Sequence, residues 1–250
     1  MTKESGMSKR EMRRQQMNRA KQRNRIITAV AIVMVALVVA FFLIWPNLQP
    51  IGTVRTPEAS IVRNQVDGNG VGDPNAPIKI EEFSDFQCPF CDRFVKQTEA
   101  QLVSAYVDTG KVYFVYRSFG EFIGPESRAA AEAAYCAGDQ NKFWEMHDIL
   151  FANQTAENAG DFTNKRLTAF AETIGLDMGK FTTCFNGGTY SSRVDQDAKD
   201  GLTAGIQATP SFVLSYTVNG QVKTVLIEGA QPFSEFQTKI ETALAEMGLK

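Results

Sequence analysis

Residues 82–91 read EFSDFQCPFC, and this stretch lies where a predicted strand passes into a predicted helix. The strand covers residues 78–83, which are rich in β-forming side chains, and the helix covers residues 89–107, whose apolar residues recur near helical spacing. A second β-prone run, residues 112–119, follows the helix. When one helix crosses over between two strands of a sheet, those strands are parallel. This unit therefore predicts an α/β fold.

The chain after this unit adds a helical block and then a hairpin. Two β-prone runs flank Asn219-Gly220, a dipeptide typical of a tight turn between antiparallel strands, and an amphipathic helix over residues 233–247 closes the chain. Before them, five segments have helical character: residues 126–137, 141–151, 167–174, 181–185 and 190–204. We predict one α/β domain over residues 66–250, with a helical insertion at residues 121–206.

The N-terminal part of the chain has the pattern of a membrane anchor. Residues 26–45 contain no charge, Pro or Gly, and a helix of this length spans ~30 Å, the thickness of a bilayer core. Residues 1–25 hold nine Lys and Arg against two Glu, so the positive-inside rule places this tail in the cytoplasm. The long apolar run lacks a small-residue cleavage site, which favours an uncleaved signal anchor. Residues 46–65, which contain three Pro, are predicted to be an extended linker.

Charge and composition narrow the classes of function. Beyond the N-terminal tail, the chain carries 17 basic and 26 acidic side chains. Nucleic-acid binding needs a basic face, so this acidic body argues against a nucleic-acid partner. The basic tail is interpreted as a topology determinant, with binding of RNA or anionic lipid as the alternative. The single histidine, His147, excludes a His-rich metal site.

Cys88 and Cys91 carry the predicted chemistry. Two thiols separated by two residues on the first turn of a helix can form a small disulfide, and the free amides and dipole of that turn stabilise a thiolate at Cys88. A thiol with a lowered pKa is both a nucleophile at neutral pH and a good leaving group, as disulfide exchange requires. Two alternatives stay open: a structural disulfide, and a zinc site completed from Cys136, Cys184 and His147.

The chain resembles the DsbA-like branch of the thioredoxin superfamily. The resemblance is carried by residues 82–91, by the helical insertion and by the sequence ATPSF at residues 208–212, and it extends over residues 64–250. It implies a thioredoxin-like fold with a helical insertion, preceded here by one transmembrane helix. It also implies that Cys88 is the exposed attacking cysteine and that Cys91 is the buried resolving cysteine.

Three further residues gain a role from the resemblance. It implies a cis peptide bond before Pro210, beside the dithiol, which would leave the backbone of Thr209 open to pair with an extended peptide. Glu82 precedes Cys88 by six residues, where thioredoxin-like proteins carry a buried acid. A carboxyl group there should have a raised pKa and could relay the proton of Cys91. The alternative is an ordinary strand-end Glu that is hydrogen-bonded to backbone.

Cys136 and Cys184 form the second pair of cysteines, and both lie in predicted helices of the insertion. Outside the cytoplasm, an even number of cysteines implies bridging. A bond between these two would close a loop of 49 residues, worth ~4 kcal/mol in the chain-entropy model. We interpret the pair as a structural disulfide, and a second redox pair is the alternative.

Together these features predict an extracytoplasmic thiol:disulfide oxidoreductase at the cell membrane, which introduces disulfides into reduced exported proteins through Cys88 and Cys91. By family analogy, a DsbB- or VKOR-like membrane partner reoxidises the dithiol. No cofactor, metal ion or nucleic acid is expected. Phe90 stands where strong oxidants of the family carry His, which predicts a less extreme oxidant. The alternatives are a disulfide isomerase or reductase on the same fold, and a non-enzymatic module that binds peptides or zinc.

Overall fold

The computed structural model describes residues 9–48, 50–57 and 61–249, so residues 1–8 of the predicted tail and residues 49 and 58–60 of the predicted linker lie outside the described part. The chain falls into two compact units that divide after Pro50. The first unit contains one long helix, α1 (Lys9–Leu48). Within it, the 22-residue stretch Lys21–Phe42 contains a window of 18 residues with a mean hydropathy of 2.7. At 1.5 Å per residue it measures ~33 Å, so it is long and apolar enough to cross a membrane.

The second unit is built on a mixed sheet. In the described residues it has six strands, in the order β1 (Val66–Asp67), β2 (Gly70–Val71), β4 (Val112–Ser118), β3 (Ile78–Ser84), β5 (Ser211–Val218) and β6 (Gln221–Glu228). β3 and β4 are parallel, and the other neighbouring pairs are antiparallel. Asn219 and Gly220 both have positive φ, 51° and 75°, as the tight turn between β5 and β6 requires. The predicted α/β fold class is confirmed.

Helices fill the crossover between the parallel strands and the insertion after them. The crossover is one continuous helical run: α2 (Pro89–Phe94), a π-helical segment (Val95–Glu99), α3 (Ala100–Leu102) and a second π-helical segment (Val103–Val107). The insertion between β4 and β5 contains α4 (Pro125–Gly138), α5 (Phe143–Asn153), α6 (Asn164–Thr173), α7 (Met178–Asn186) and α8 (Ser191–Thr203). The last helix, α9 (Phe233–Glu246), follows β6.

The apolar core lies on both faces of the sheet. On one face, Phe94 of α2 packs against Phe212 of β5 and Phe236 of α9, with ring centroids 4.6 and 5.6 Å apart. On the opposite face of β3, Phe83 packs with Phe119 in a smaller cluster. The sheet is thus covered on two sides, which buries the strand end that leads to residue 88.

Helix α8 approaches this end of the sheet closely at Gly201. A Cβ atom there would lie 2.8 Å from the ring of Phe83 and 2.7 Å from the ring of Phe119, too close for any side chain without a shift of the helix. Arg117 of β4 holds α8 from the side through ion pairs with three acids: Glu81 of β3, and Asp197 and Asp200 of α8.

The segment that enters the domain differs from the predicted linker. We predicted an extended linker over residues 46–65, and the described residues from Ile51 onward belong to the folded unit. The side chain of Asn153 donates to the carbonyl oxygen of Arg55 (2.7 Å) and accepts from its amide (2.9 Å). Arg166 donates to the carbonyl oxygen of Ile51 (2.7 Å). Side chains of the insertion therefore satisfy the backbone of this segment, which composition alone does not indicate.

Candidate active site

Cys88 is the N-cap residue of α2, at the end of a short loop that follows β3. The carboxylate of Asp85 accepts the amides of Gln87 (2.8 Å) and Ile123 (3.2 Å), and the amide of Cys88 donates to the carbonyl oxygen of Asp85 (2.9 Å). Pro89 occupies the start of the helix, where its missing N–H leaves no helical hydrogen bond unmade. The loop thereby fixes the sulfur of Cys88 beside the free amides of the helix N-terminus.

The sulfur of Cys88 has several polar neighbours that favour its charged form. Cys88 and Cys91 are both free thiols. A hydrogen bond from the Cys91 thiol lowers the pKa of Cys88 to about 6; burial opposes this shift, and the Thr209 hydroxyl and the amides of Cys91 and Phe90 reinforce it. When protonated, Cys88 donates to the carbonyl oxygen of Thr209 at 3.3 Å. At neutral pH, Cys88 is therefore mainly a thiolate.

The exposure of the two cysteines corrects one expectation. The resemblance implied an exposed Cys88, but only 4% of this residue is accessible, against 0% of Cys91. Cys88 is buried because the backbone of Thr209 lies against its sulfur. The neighbouring Phe90 is the exposed residue of the motif, at 50%. The description of Cys88 as the exposed cysteine is therefore wrong for this chain in its reduced form. A substrate sulfur reaches it only through a small accessible area.

Thr209 and Pro210 adjoin the dithiol, and the peptide bond between them is cis. Thr209 is buried, and its hydroxyl forms no hydrogen bond with another group in the described residues, so it is available to a thiolate at Cys88. The carbonyl oxygen of Pro210 accepts the amide of Gly229 (2.8 Å), which attaches this turn to the end of β6. The structure thus brings Thr209 and Pro210 to the predicted dithiol.

Glu82 is a buried acid that acts on Cys91. It is fully buried on β3, and neither carboxyl oxygen has a hydrogen-bond partner among the described residues. Burial, and next the charge of Glu99, raise the pKa of Glu82 to about 8 against opposing effects that include the charge of Arg63. Burial also raises the pKa of Cys91 well above its usual value, as do the neighbouring Cys88 and Glu82. At neutral pH, Glu82 therefore holds a proton.

A second group of buried charges was missed by the sequence analysis. Arg63, from the segment that enters the domain, forms ion pairs with Glu99 in the crossover helix and with Asp148 on α5. The signal was weak: Glu99 is a charged residue at a position where the helical spacing of Cys91 and Phe94 predicts an apolar side chain. Nothing in the polar context of Arg63 indicated burial.

The other two cysteines form a disulfide bond, Cys136–Cys184, between α4 and α7. His147 is fully buried, with its Nδ1 atom 2.9 Å from a carboxylate oxygen of Asp148. The bond removes two of the three candidates, Cys136 and Cys184, and so leaves only His147 where a zinc site at Cys88 and Cys91 would have needed two further ligands. The geometry at Cys88 and Cys91 is thus that of a dithiol with unequal thiols, not that of a metal centre.

A comparison with protein families matches residues 65–241 to a family model described as Thioredoxin. The crystal structure of oxidised BdbD from Bacillus subtilis has the same fold, with a TM-score of 0.62 and 24% identity, and the alignment covers 76% of this chain and 100% of that one.

Two of the curated relatives that the chain matches are a membrane antiporter and a disulfide bond formation protein. The Na(+)/H(+) antiporter NhaA 1 of Salinispora arenicola is 31% identical over 145 residues, which are 58% of this chain and 21% of the antiporter. The probable disulfide bond formation protein D of Bacillus cereus is 29% identical over 150 residues, which are 58% of this chain and 68% of that protein. The chain thus spans between a fifth and a third of the length of the antiporters that it matches.

Proposed function

The chain belongs to the thioredoxin family, and we propose that it is a thiol:disulfide oxidoreductase that introduces disulfide bonds into exported proteins through Cys88 and Cys91. One observation carries the proposal. The pKa of Cys88 is lowered to about 6, while the pKa of its hydrogen-bonded neighbour Cys91 is raised. A thiolate of low pKa is a good leaving group, and the inequality gives the two sulfurs different roles.

The oxidising reaction starts from the Cys88–Cys91 disulfide. A substrate thiolate attacks the sulfur of Cys88, and the Cys88–Cys91 bond breaks as a mixed disulfide forms. The sulfur of Cys91 leaves with the bonding electrons and takes the proton of Glu82. A second substrate thiolate then attacks the substrate sulfur of the mixed disulfide, and Cys88 leaves as a thiolate. The substrate has lost two electrons to form its disulfide, and the protein holds a Cys88 thiolate and a Cys91 thiol. Glu82 regains a proton from those that the two substrate thiols released.

Thr209 and Pro210 are assigned the binding of the substrate backbone. The carbonyl oxygen of Thr209 lies 3.3 Å from the sulfur of Cys88, so a peptide that pairs with this backbone brings its own cysteine to the reactive sulfur. The hydroxyl of Thr209 can donate to the thiolate that leaves in the second step. These contacts bind the backbone of an extended chain rather than its side chains, which suits a catalyst that acts on many substrate proteins.

The domain is proposed to work outside the cytoplasm, tethered to the cell membrane by α1. Support comes from the membrane-length helix Lys21–Phe42 and from the basic residues in the tail, which by the positive-inside rule favour a cytoplasmic N-terminus. The Cys136–Cys184 disulfide fits an oxidising compartment. In this arrangement the partners are reduced exported proteins, as substrates, and a DsbB- or VKOR-like membrane protein that reoxidises the dithiol.

The direction of transfer depends on what stabilises the reduced pair. Phe90 offers no side-chain donor to Cys88, and its ring lies 4.6 Å from the guanidinium of Arg93 instead. The thiolate is stabilised by the Cys91 thiol, the Thr209 hydroxyl and the helix amides. We therefore propose a net oxidant of intermediate strength. Redox equilibrium with glutathione measures this strength, and a strongly reducing value would assign the isomerase or reductase alternative.

A transfer assay on the full chain in detergent tests the proposed function. Oxidised protein is mixed with a reduced peptide that contains two cysteines, and the loss of peptide thiols is followed. We expect stoichiometric oxidation by the wild type and only the background rate with Cys88→Ser. The control, Cys136→Ala combined with Cys184→Ala, removes the other pair and should retain the wild-type rate. Equal rates for the wild type and Cys88→Ser would refute the proposal.

A further inference from the structure

Arg63 is a buried cation in the segment that leads into the domain, just before the residues that match the family model. It precedes residues 65–241, the part matched by the family model, yet only 3% of its side chain is exposed. Its guanidinium donates to Glu99 (3.0 and 2.8 Å) and to Asp148 (2.9 and 2.8 Å), and lies 4.5 Å from the ring centre of Trp144. A buried charge persists only when it is paired and hydrogen-bonded, and Arg63 meets both conditions.

Glu99 connects this ion pair to the helix that carries the dithiol. Glu99 and Cys91 lie in the same helical run, and both are fully buried. One carboxylate oxygen of Glu99 takes both hydrogen bonds from Arg63, while the other, Oε2, has no partner in the described part of the chain. Glu99 therefore places a carboxyl group that is bonded to a cation inside the core.

Glu82 and Glu99 are two buried carboxyl groups with one cation beside them. Arg63 bonds to Glu99, whereas the carboxyl oxygens of Glu82 have no hydrogen-bond partner among the described residues. Two buried carboxylates in one region repel each other, so the one bonded to the cation keeps its charge and the other keeps a proton. Burial raises the pKa of Glu82 most, and the charge of Glu99 adds to this shift more than the charge of Arg63 takes away.

We propose that Arg63 is a positioning residue of the redox site: it holds Glu99 as a buried carboxylate, so that Glu82 keeps the proton that Cys91 takes up. This inference rests on the proposed function, because Cys91 needs a proton only when it leaves a disulfide. Through Arg63, the segment that leads into the domain then contributes to the redox site.

The groups that act on Glu82 come from several elements. They are Ser84 of β3, Tyr116 of β4, Cys88 and Cys91 at the start of α2, Glu99 in the crossover helix and Arg63 in the entering segment. Behind them, His147 of α5 packs edge-on to Tyr116 and contacts Asp148. Among these groups, Arg63 is the fixed cation. Removing the charge of Glu99 or of Arg63 therefore has a defined effect on Glu82.

Carbon-13 NMR of the glutamate carboxyl groups in the reduced full chain tests the inference without an activity assay. Loss of a signal in Glu82→Gln identifies Glu82. In Glu99→Gln, the side-chain oxygen still accepts from Arg63 but the negative charge is gone, so the titration midpoint of Glu82 should fall by about 1 pH unit. The control Glu241→Gln removes a carboxylate that bonds to Tyr106, and it should leave the midpoint unchanged. An unmoved midpoint in Glu99→Gln overturns the inference.

Variants of Arg63 separate charge from packing. In Arg63→Met, Glu99 loses its cation, so we expect the titration midpoint of Glu82 to fall, but by less than in Glu99→Gln because the opposing charge of Arg63 is also gone. Arg63→Lys restores the charge and should move this titration back toward the wild type. Should Arg63→Met fail to fold, Arg63→Lys and Glu99→Gln still decide the question. A Glu82 midpoint that is the same in folded Arg63→Met as in the wild type contradicts the role of Arg63.

The rate of disulfide reduction distinguishes a failure of this inference from a failure of the proposed function. Glu99→Gln should slow the release of Cys91 more at pH 7 than at pH 5, because fewer Glu82 groups then carry a proton at pH 7. A shifted Glu82 midpoint with an unchanged pH profile would overturn the link to Cys91. If Cys88→Ser remained fully active, the proposed function would fail, whereas the NMR result would still decide the relation between Arg63, Glu99 and Glu82.

Discussion

The two pairs of cysteines in this protein have opposite environments. Cys88 and Cys91 lie on the first turn of a helix and are free thiols whose pKa values are shifted in opposite directions. Cys136 and Cys184 are 48 positions apart on two helices of the insertion and are joined by a disulfide, with their Cα atoms 5.8 Å apart. The same side chain is reactive in one region and fixed in the other.

The difference shows that the neighbours of a cysteine decide its role. Cys88 has helix amides, a second thiol and the hydroxyl of Thr209 around its sulfur, and all of them favour a thiolate. At the other pair, a carboxyl oxygen of Asp139 lies 3.8 Å from the sulfur of Cys184. A negative charge there disfavours a thiolate, so this pair is poorly suited to exchange.

Removal of the second pair should give the largest effect on stability. Cys136→Ala combined with Cys184→Ala opens a loop with a sequence separation of 48. The free energy of unfolding should fall by ~4 kcal/mol in the chain-entropy model, measured by urea denaturation of the full chain in detergent. Cys88 keeps all its neighbours, so the pH at which it is half alkylated should not change. Loss of Cys88 reactivity in a folded double variant would show that the two regions depend on each other.

Glu82→Gln should give the next largest effect, and one that depends on pH. Because the pKa of Glu82 is raised from 4.5 to about 8, the folded state holds a proton that the unfolded state has released. The stability of the reduced wild type should therefore fall as pH rises from 4.5 to about 8. Glu82→Gln lacks this titration, so its stability relative to the wild type should gain ~1.4 kcal/mol per pH unit, or ~3 kcal/mol by pH 7.

Unfolding curves across this pH range check the effect of Glu82. The matched control is Glu145→Gln, an exposed glutamate on α5, whose stability should run parallel to that of the wild type. Parallel curves for the wild type and Glu82→Gln would mean that Glu82 does not titrate as a buried acid, and would remove it from the proposed proton transfer.

Cys91→Ala should act on the reactivity of Cys88. The Cys91 thiol is the largest cause of the lowered pKa of Cys88, so its removal should raise that pKa from about 6 by on the order of 1 unit. The rate of alkylation by iodoacetamide as a function of pH measures this shift. Phe90→Ala keeps the backbone amide and serves as the control, with no shift expected. A midpoint that stays near 6 in Cys91→Ala would assign the thiolate to the helix amides alone.

Thr209→Val should give the smallest effect. The substitution keeps the branched shape of the side chain and removes the hydroxyl that favours the Cys88 thiolate. The pKa of Cys88 should rise by roughly half a unit, and Thr209→Ser should restore it. The same alkylation profile is the measurement, and an unchanged or lowered pKa in Thr209→Val would exclude the hydroxyl as a donor.

The local sequence predicts most strands of the sheet and the position of the dithiol. The run of β-forming residues at 78–83 becomes β3, which extends only to Ser84, and the turn at Asn219 and Gly220 joins β5 to β6. These features depend on neighbours in the sequence, so a local pattern is enough to find them. β1 and β2 have two residues each, which is too short for an alternating pattern to appear.

Long-range pairing could not be predicted in this way. Arg63 bonds to Glu99 and Asp148, which are 36 and 85 positions away, and the burial of Cys88 depends on a contact with Thr209, 121 positions away. Composition made residues 46–65 an extended linker, since Pro and polar residues are common both in free linkers and in segments whose backbone is bonded by distant side chains. The electrostatics of the site arise from these distant partners, so they appear only in the folded chain.

Every newly made copy of this protein emerges with four cysteines, and two of them end in the bond between Cys136 and Cys184. That bond needs an acceptor for two electrons. Under the proposed function, each copy is therefore a substrate for disulfide formation before it can catalyse it. A mature copy is chemically competent to form the Cys136–Cys184 bond in a newly made one. The pool of finished molecules can then accelerate its own growth.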